Sequence, residues 1–433
     1  MLRDALHALL YAIANSIISA SGNFVLVWRG STMAKTGRLP AYIKERIDIS
    51  GLKGRLSPSH EEAGEASCIS FHDYMAICLY DENDGYYRSG NVRVGKSGDF
   101  YTSSSIGTIM GEKLAAYAAS LIEANGAASS LIFMEWGAGT GLLSQQIIAA
   151  WTKAGHAWLN RAKYCVVDSN PVHLKEAQGR LRQGTSGIPG LLKLNFMPPE
   201  EAHGVLSDLK QGENEPSSMV IIIANELLDA FPVHRVAKHN GQLWELGVAA
   251  AASDCEPEWF RYVYTSLTDS RIAEALALDG IELLEGQITE VNLAAEAWIA
   301  QLGGLISCGA LLIVDYGHEA RELTAPHRMQ GTMLCYKDHM AADRPFMAPG
   351  EQDITAHVNF TACRRSAGKS GWQELYYDTQ KQFLIDQGLL QDLTPHDGSN
   401  PFGEAARRNR SIRQLLLSDG MSESFKVMVL GKG

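Results

Sequence analysis

No stretch of this sequence stays apolar for long enough to cross a membrane as a helix. The best candidate, Ala5–Trp28, is rich in Leu, Ala, Ile and Val, but His7, Asn15 and Asn23 interrupt it. A spanning helix needs about 18 or more apolar residues in a row, so membrane contact is not expected. A secretory leader fits poorly as well, because the only basic residue ahead of that stretch is Arg3 and Asp4 offsets it. The segment reads either as an amphipathic N-terminal helix or as an extension upstream of a chain that starts at Met33. Cysteine is sparse and unpatterned. The seven, Cys68, Cys78, Cys165, Cys255, Cys308, Cys335 and Cys363, are odd in number and never form C-x-x-C. That argues against a disulfide frame or a cysteine zinc site and for reduced thiols in a cytoplasmic protein. Basic tracts are missing too, and the net charge is −11. Without clustered Lys and Arg, counterion-release binding to nucleic acid is not expected; an acidic surface suits a basic protein partner instead. His318, His327, His339 and His357 lack a tight ligand spacing, so no metal is expected.

What the sequence does have is one informative motif. Residues 131–141 read Leu-Ile-Phe-Met-Glu-Trp-Gly-Ala-Gly-Thr-Gly. An apolar run ends in an acid and three glycines follow at alternate positions. Leu142, Leu143, Ile147, Ile148 and Trp151 then recur with helical spacing. Strand, glycine turn and helix together bring bare backbone against a nucleotide-like ligand in a doubly wound α/β sheet. A dinucleotide fingerprint, G-x-G-x-x-G, would need its third glycine at position 142, which is Leu142. A nicotinamide oxidoreductase is disfavoured on that ground. The form E-x-G-x-G-x-G resembles motif I of class I S-adenosylmethionine (SAM) methyltransferases. Gly137, Gly139 and Gly141 would let the backbone approach the methionyl part of SAM, and the positive end of the following helix suits its carboxylate. Glu135, at the strand end, is placed to favour the cationic end of the cofactor, directly or through water.

Composition, with 45% hydrophobic and 20% charged residues, is that of a globular chain long enough for two or three domains. Residues 34–66 are polar and read as a linker. A helix is predicted over 69–80, with Ser70 as its cap and Asp73 three residues on, then a turn at Asp81–Gly85 and a helix over about 106–123. The second strand of the sheet is placed at Tyr164–Asp168, where a carboxylate at the strand end can bind both ribose hydroxyls. Met219–Ala224 reads as a strand buried on both faces. It runs into Asn225-Glu226-Leu227-Leu228-Asp229. Ligands of open α/β sheets bind beyond the carboxyl ends of the strands, so Asn225, Glu226 and Asp229 fall where a reacting group should lie. Residues 233–265 alternate as hairpin strands around Asn240-Gly241. A helix over about 290–303 leads to another buried strand at 310–314, helices follow near 379–387 and 404–417, and Phe425–Leu430 closes the chain. The expected division is an N-terminal extension and linker (1–66), a helical segment packing on the cofactor site (67–125), the first part of a Rossmann-like domain (126–232), a β-rich insertion (233–290), and the remainder of that domain with a cap or substrate lobe (291–433).

Five blocks in order resemble the MidA family of SAM-dependent methyltransferases, which includes the mitochondrial complex I assembly-factor arginine methyltransferases. They are Ser97–Ser103, Glu135–Gly141, Asn225–Val233, Val314–Gly317 and Asp353–Phe360, with Gly331-Thr332 and His339 between the last two. The resemblance runs from about Ile69 to the C-terminus. Departures are Asn359, where the family often has Asp, and Asp168-Ser169, where it often has Glu-Ser. The resemblance implies a class I methyltransferase fold, Rossmann-like and doubly wound, with a helical cap lobe. It also implies methylation of arginine on a protein substrate; in mitochondrial members this is a respiratory complex I subunit, and the location is then the mitochondrial matrix. Asp168 and Ser169 are the expected ribose contacts, and Asp99 and Thr102 are expected to close over the cofactor. Glu226 and Asp229, helped by Asn225, would orient a guanidinium, which stays charged and forks towards carboxylates. His357 or Asp353 would take the proton released late in the step. The competing reading is a SAM-binding assembly factor with little catalysis.

Overall fold

The computed structural model describes residues 37–58, 64–88, 106–125, 130–184, 192–211, 218–252, 258–337, 340–395, 400, 402–417 and 421–433. The described chain divides into two compact units. One holds residues 106–228, 299–317 and 364–433; the other holds 37–88, 229–298 and 318–363.

Seven strands organise the first unit: β1 (Ser130–Trp136), β2 (Ala162–Val167), β3 (Lys193–Met197), β4 (Ser218–Asn225), β5 (Gly309–His318), β6 (Gln373–Thr379) and β7 (Phe425–Lys432). They pair in the order β3-β2-β1-β4-β5-β7-β6. β1 to β5 run parallel, and β7 is antiparallel to both β5 and β6. This is the doubly wound sheet the sequence predicts. The apolar runs of β4 and β5 are explained by burial on both faces, with Ile221, Ile222, Ile223, Leu311, Leu312 and Ile313 all nearly inaccessible. Helices α1 (Ile109–Asn125), α2 (Leu142–Ala154), α3 (Pro171–Gly184) and α4 (Pro199–Gln211) belong to the same unit. Leu143, Ile147, Ile148 and Trp151 form the buried stripe of α2, and Gly155 ends the helix in a left-handed conformation (φ +69°). The ring of Trp151 lies 4.3 Å from that of Phe133 on β1, and its indole N–H donates to the Ala115 carbonyl at 2.8 Å.

The second unit is built on antiparallel pairing. Strands Phe260–Thr265, Gln242–Ala250, His234–His239 and Ile288–Val291 lie side by side in that order, with Ile69–Ser70 also on Gln242–Ala250. The hairpin expected around Asn240-Gly241 is present; both residues have positive φ (+51° and +73°), as its two-residue turn requires. A smaller sheet joins Met340–Ala342, Leu334–Lys337 and Asp353–Thr355.

Three segments depart from the sequence reading. Part of the expected linker is a helix, Arg38–Ile49, because Leu39, Ile43 and Ile47 recur every four residues and are buried. Ile69–Ser70 is a short strand, and the helix starts at Phe71 with Ser70 accepting from the Asp73 amide at 3.0 Å. The segment read as one helix from 290 is a strand, Ile288–Val291, followed by a helix over Leu293–Leu305; alternation in Thr289 and Val291 is too short to stand out beside that helix.

The start of β5 carries a tight constraint. Gly309 has φ +152°, and a Cβ there would fall 1.9 Å from the Val220 carbonyl oxygen on β4. Gly309→Ala is expected to lower unfolding free energy by about 3 kcal/mol or more, read from the denaturant midpoint; an unchanged midpoint contradicts this packing.

Candidate active site

β1 and β4 are neighbours although β2 and β3 follow β1 in the chain, so the order of strands reverses between them. A crevice beyond the carboxyl ends of the strands opens at such a reversal. The glycine turn lies there. Gly137, Gly139 and Gly141 all have positive φ (+69°, +52° and +74°), a region other residues enter only with strain. Close approach adds to this at two of them. A Cβ on Gly137 would come within 2.9 Å of Leu227 Cδ1, and one on Gly141 within 2.8 Å of Ala177 Cβ. Among the described residues, a Cβ on Gly139 would meet nothing within 4 Å, so none of them covers the middle of the turn.

Asp168 follows directly on β2. Its Oδ2 accepts from the Gly139 amide at 2.8 Å and its Oδ1 from the Asn170 amide at 2.8 Å, with His173 Nδ1 at 3.5 Å. One carboxylate therefore ties the glycine turn to the end of β2. Ser169, half-buried, stands beside it.

Glu135 differs from expectation. It does not project from the strand end; it is 3% exposed and turned into the protein. There it accepts from Ser144 Oγ on the first turn of α2 and from the Tyr164 hydroxyl of β2 at 3.3 Å. Burial pushes its carboxyl up to about 7; the hydrogen bonds from Ser144 and Tyr164 oppose that shift and the Asp168 charge adds to it. Ser144 and Tyr164 were not singled out in the sequence; the signal available was Ser144 at the third helical position, where a hydroxyl can face back to the preceding strand.

The exit of β4 sits beside the glycine turn, since Trp136 pairs with Ala224. Asn225 Nδ2 donates to Glu226 Oε1 at 3.2 Å, and the Glu226 amide donates to the Val314 carbonyl at 2.8 Å. The structure thus brings together Glu135, Gly137, Gly139, Gly141, Asp168, Ser169, Asn225 and Glu226 at one edge of one sheet.

Asp229 and His357 belong to the other unit and are close to each other, because the Ala356 amide donates to the Asp229 carbonyl at 3.0 Å. Asp229 is 6% exposed. Its charge and that of Asp353 surround two phenols: burial, then Asp353, Tyr80 and Asp229, push Tyr87 well up, and burial, Asp229 and Asp353 raise Tyr336. The Tyr87 hydroxyl donates to Asp353 Oδ1 at 2.7 Å. The His357 amide donates to Thr332 Oγ1 at 3.1 Å, and its ring lies 5.3 Å from that of His318. Burial, reinforced by the charges of His318 and Arg328, lowers His357 to about 4. Asp99, Thr102 and His339 lie outside the described residues.

A family described as "Putative S-adenosyl-L-methionine-dependent methyltransferase" matches residues 113–377. The chain belongs to this family. It is similar to the Protein arginine methyltransferase NDUFAF7 homolog, mitochondrial, of Drosophila melanogaster, with 29% identity over 313 residues, 70% of this chain and 67% of the relative. Its similarity to the Protein arginine methyltransferase NDUFAF7, mitochondrial, of Danio rerio is 27% over 377 residues, 83% and 82% of the two chains. Among solved structures it resembles a Burkholderia thailandensis protein bound to S-adenosyl-homocysteine, with a TM-score of 0.75, 27% identity and 92% of each chain covered. Fold and family together make the chain a SAM-dependent methyltransferase, and they favour the enzyme over a binding module that does no chemistry. The residues present fit that cofactor: none of the described residues stands over the turn at Gly139, and α2 begins immediately after it.

Glu135 generates a pH prediction. Above pH 4.5 the unfolded chain has lost this proton, whereas the folded protein keeps it up to about pH 7. Folded protein then binds more protons than unfolded, so stability falls as pH rises from about 4.5 to 7 and levels off above. The fall assigned to this one group is roughly 3 kcal/mol. Glu135→Gln is expected to remove that slope in denaturant titrations of the protein without cofactor; parallel curves for the two proteins contradict the inward placement.

Proposed function

We propose that the chain methylates an arginine side chain of a protein substrate, with the acceptor guanidinium held by the acid-bearing segment Asn225–Asp229. The observation that carries this reading is the exit of β4: Glu226, with Asn225 bonded to it, stands directly beside the glycine turn. The names of the mitochondrial relatives supply the arginine.

Bound SAM supplies a methyl group already activated on a sulfonium, and Gly137, Gly139, Gly141, Asp168 and Ser169 are the residues proposed to hold it. A carboxylate has about four lone-pair directions. The Gly139 and Asn170 amides use two of those on Asp168, and the others suit ribose hydroxyls. The protein's remaining task is to align a nitrogen and exclude water. Arginine is positively charged at neutral pH, so its nitrogen lone pair is delocalised and a poor nucleophile. Glu226 fixes the plane of the guanidinium, localises its charge away from the attacking nitrogen, and receives the proton that leaves that nitrogen; Asp229, three residues on in the chain, is the second carboxylate of the segment. His357, lowered to about 4, is no stronger a base than a carboxylate, and the contact it makes with Thr332 runs through its backbone amide, so no proton transfer is assigned to its ring.

The net charge of −11 favours a basic substrate segment; in a mitochondrial setting we assign this to a respiratory-complex subunit in the matrix, and otherwise to a cytoplasmic protein. No helix among the described residues is long and apolar enough to cross a membrane.

The test is incubation of the full chain with methyl-labelled SAM and native cell extract, followed by amino-acid analysis of the labelled product. Methylarginine is expected. Glu226→Gln and Asp229→Asn should each cut turnover by about a hundredfold or more while S-adenosyl-homocysteine affinity moves less than about threefold. Intact turnover in both variants, or label on another residue type, sinks the reading.

A further inference from the structure

Glu226 is held in a conformation that costs free energy. Its φ is +54°, in the left-handed region, where a residue with a Cβ is strained. Glutamate has no local device to offset that strain, so the surroundings must impose the turn. They do so through one buried side chain. The amides of Leu227 and Leu228, the two residues after Glu226, both donate to Oδ2 of Asp315, at 3.1 and 2.8 Å. Oδ1 of the same carboxylate accepts from the Tyr316 amide at 2.9 Å. Asp315 lies near the end of β5 and is 0% exposed. A buried carboxylate accepting several backbone N–H groups makes short, charge-assisted bonds, and its removal leaves those amides without their acceptor.

The next contact leads to the cofactor turn. With its backbone fixed by Asp315, Leu227 directs Cδ1 to within 2.9 Å of the place a Gly137 Cβ would occupy. Leu227 therefore fills the space against the first glycine of the turn. Carboxylate, loop amides, leucine side chain and glycine form one continuous path across β5, β4 and β1, all within one unit.

We propose that Asp315 is the positioning residue of the methyl-transfer site: through Leu227 and Leu228 it sets the strained Glu226 turn and the Gly137 cradle in one fixed relation. The cofactor half of this inference needs only the glycine turn. The acceptor half rests on the reading of Glu226 given above. A carboxylate that merely capped the end of β4 would affect stability alone. A positioning carboxylate changes cofactor affinity by way of Leu227, and this separates the two roles.

The experiment is a double-mutant cycle on the full chain, with S-adenosyl-homocysteine affinity measured by titration calorimetry. Asp315→Asn keeps the shape of the side chain but turns one acceptor into a donor facing backbone N–H groups. Asp315→Asn and Leu227→Ala are each expected to weaken binding by about tenfold, and the double variant also by about tenfold, because both break the same path. Losses that multiply to about a hundredfold, or an affinity unchanged by Asp315→Asn, overturn the proposal. Should Asp315→Asn fail to fold, Leu227→Ala and amide hydrogen exchange on the unsubstituted protein carry the test, and an affinity unchanged by Leu227→Ala overturns the proposal. The Leu227 and Leu228 amides are expected to be protected like those of the sheet interior, and exchange at open-loop rates overturns the inference. Non-additive binding without labelled arginine in the extract assay supports the positioning role and removes only the arginine reading.

Discussion

The parallel pairing of β1 with β4 is the constraint on which the site depends. Those strands are neighbours in space but far apart in sequence, and the strand order reverses between them. Trp136 opposite Ala224 fixes the register. A slip of one residue would turn Glu135 out of its contacts with Ser144 and Tyr164 and carry Leu227 away from Gly137. The almost purely apolar runs of β1, β4 and β5 are buried on both faces, so side-chain fit in the close-packed interior, and not alternation of polar and apolar residues, sets that register. The chemistry stands on strand ends, and the interior of the sheet decides where those ends fall.

Legibility in the sequence followed the range of the interaction. Local patterns read well. The glycine turn, the hairpin at Asn240-Gly241 and the helix over 404–417 each follow from residues within a few positions of one another, and each is present. The helix at Arg38–Ile49 was hidden because its buried aliphatic residues, Leu39, Ile43 and Ile47, stand among charged ones, so composition suggested a linker where periodicity supported a helix. Strand Ile288–Val291 is four residues long and has its partner at His234–His239, more than forty residues away. No local pattern carries a pairing of that span.

The same distinction divides the site. Residues on the glycine turn and at the exits of β2 and β4 could be named from the rule that ligands bind beyond strand ends, and the fold collects them at one edge. The direction a side chain takes at such an end is set by partners distant in sequence. Glu135 meets Ser144 nine residues on and Tyr164 twenty-nine residues on. Asp315 meets amides nearly ninety residues earlier. An acid ending a strand looks alike in the sequence whether it faces solvent, a ligand or backbone N–H groups. Three such acids, Glu135, Asp168 and Asp315, stand at or near the ends of β1, β2 and β5 in one sheet, and all three accept hydrogen bonds from the protein itself.

That shared use explains how a site for a cationic cofactor tolerates so much acid. Open negative charge at a strand edge would attract any cation, and shape would then select little. Here Asp168 is partly satisfied by the Gly139 and Asn170 amides, and Glu135 is buried and titrates near neutral pH. Glu135 can therefore be neutral or charged at small cost, and the Asp168 charge nearby raises it towards the neutral form.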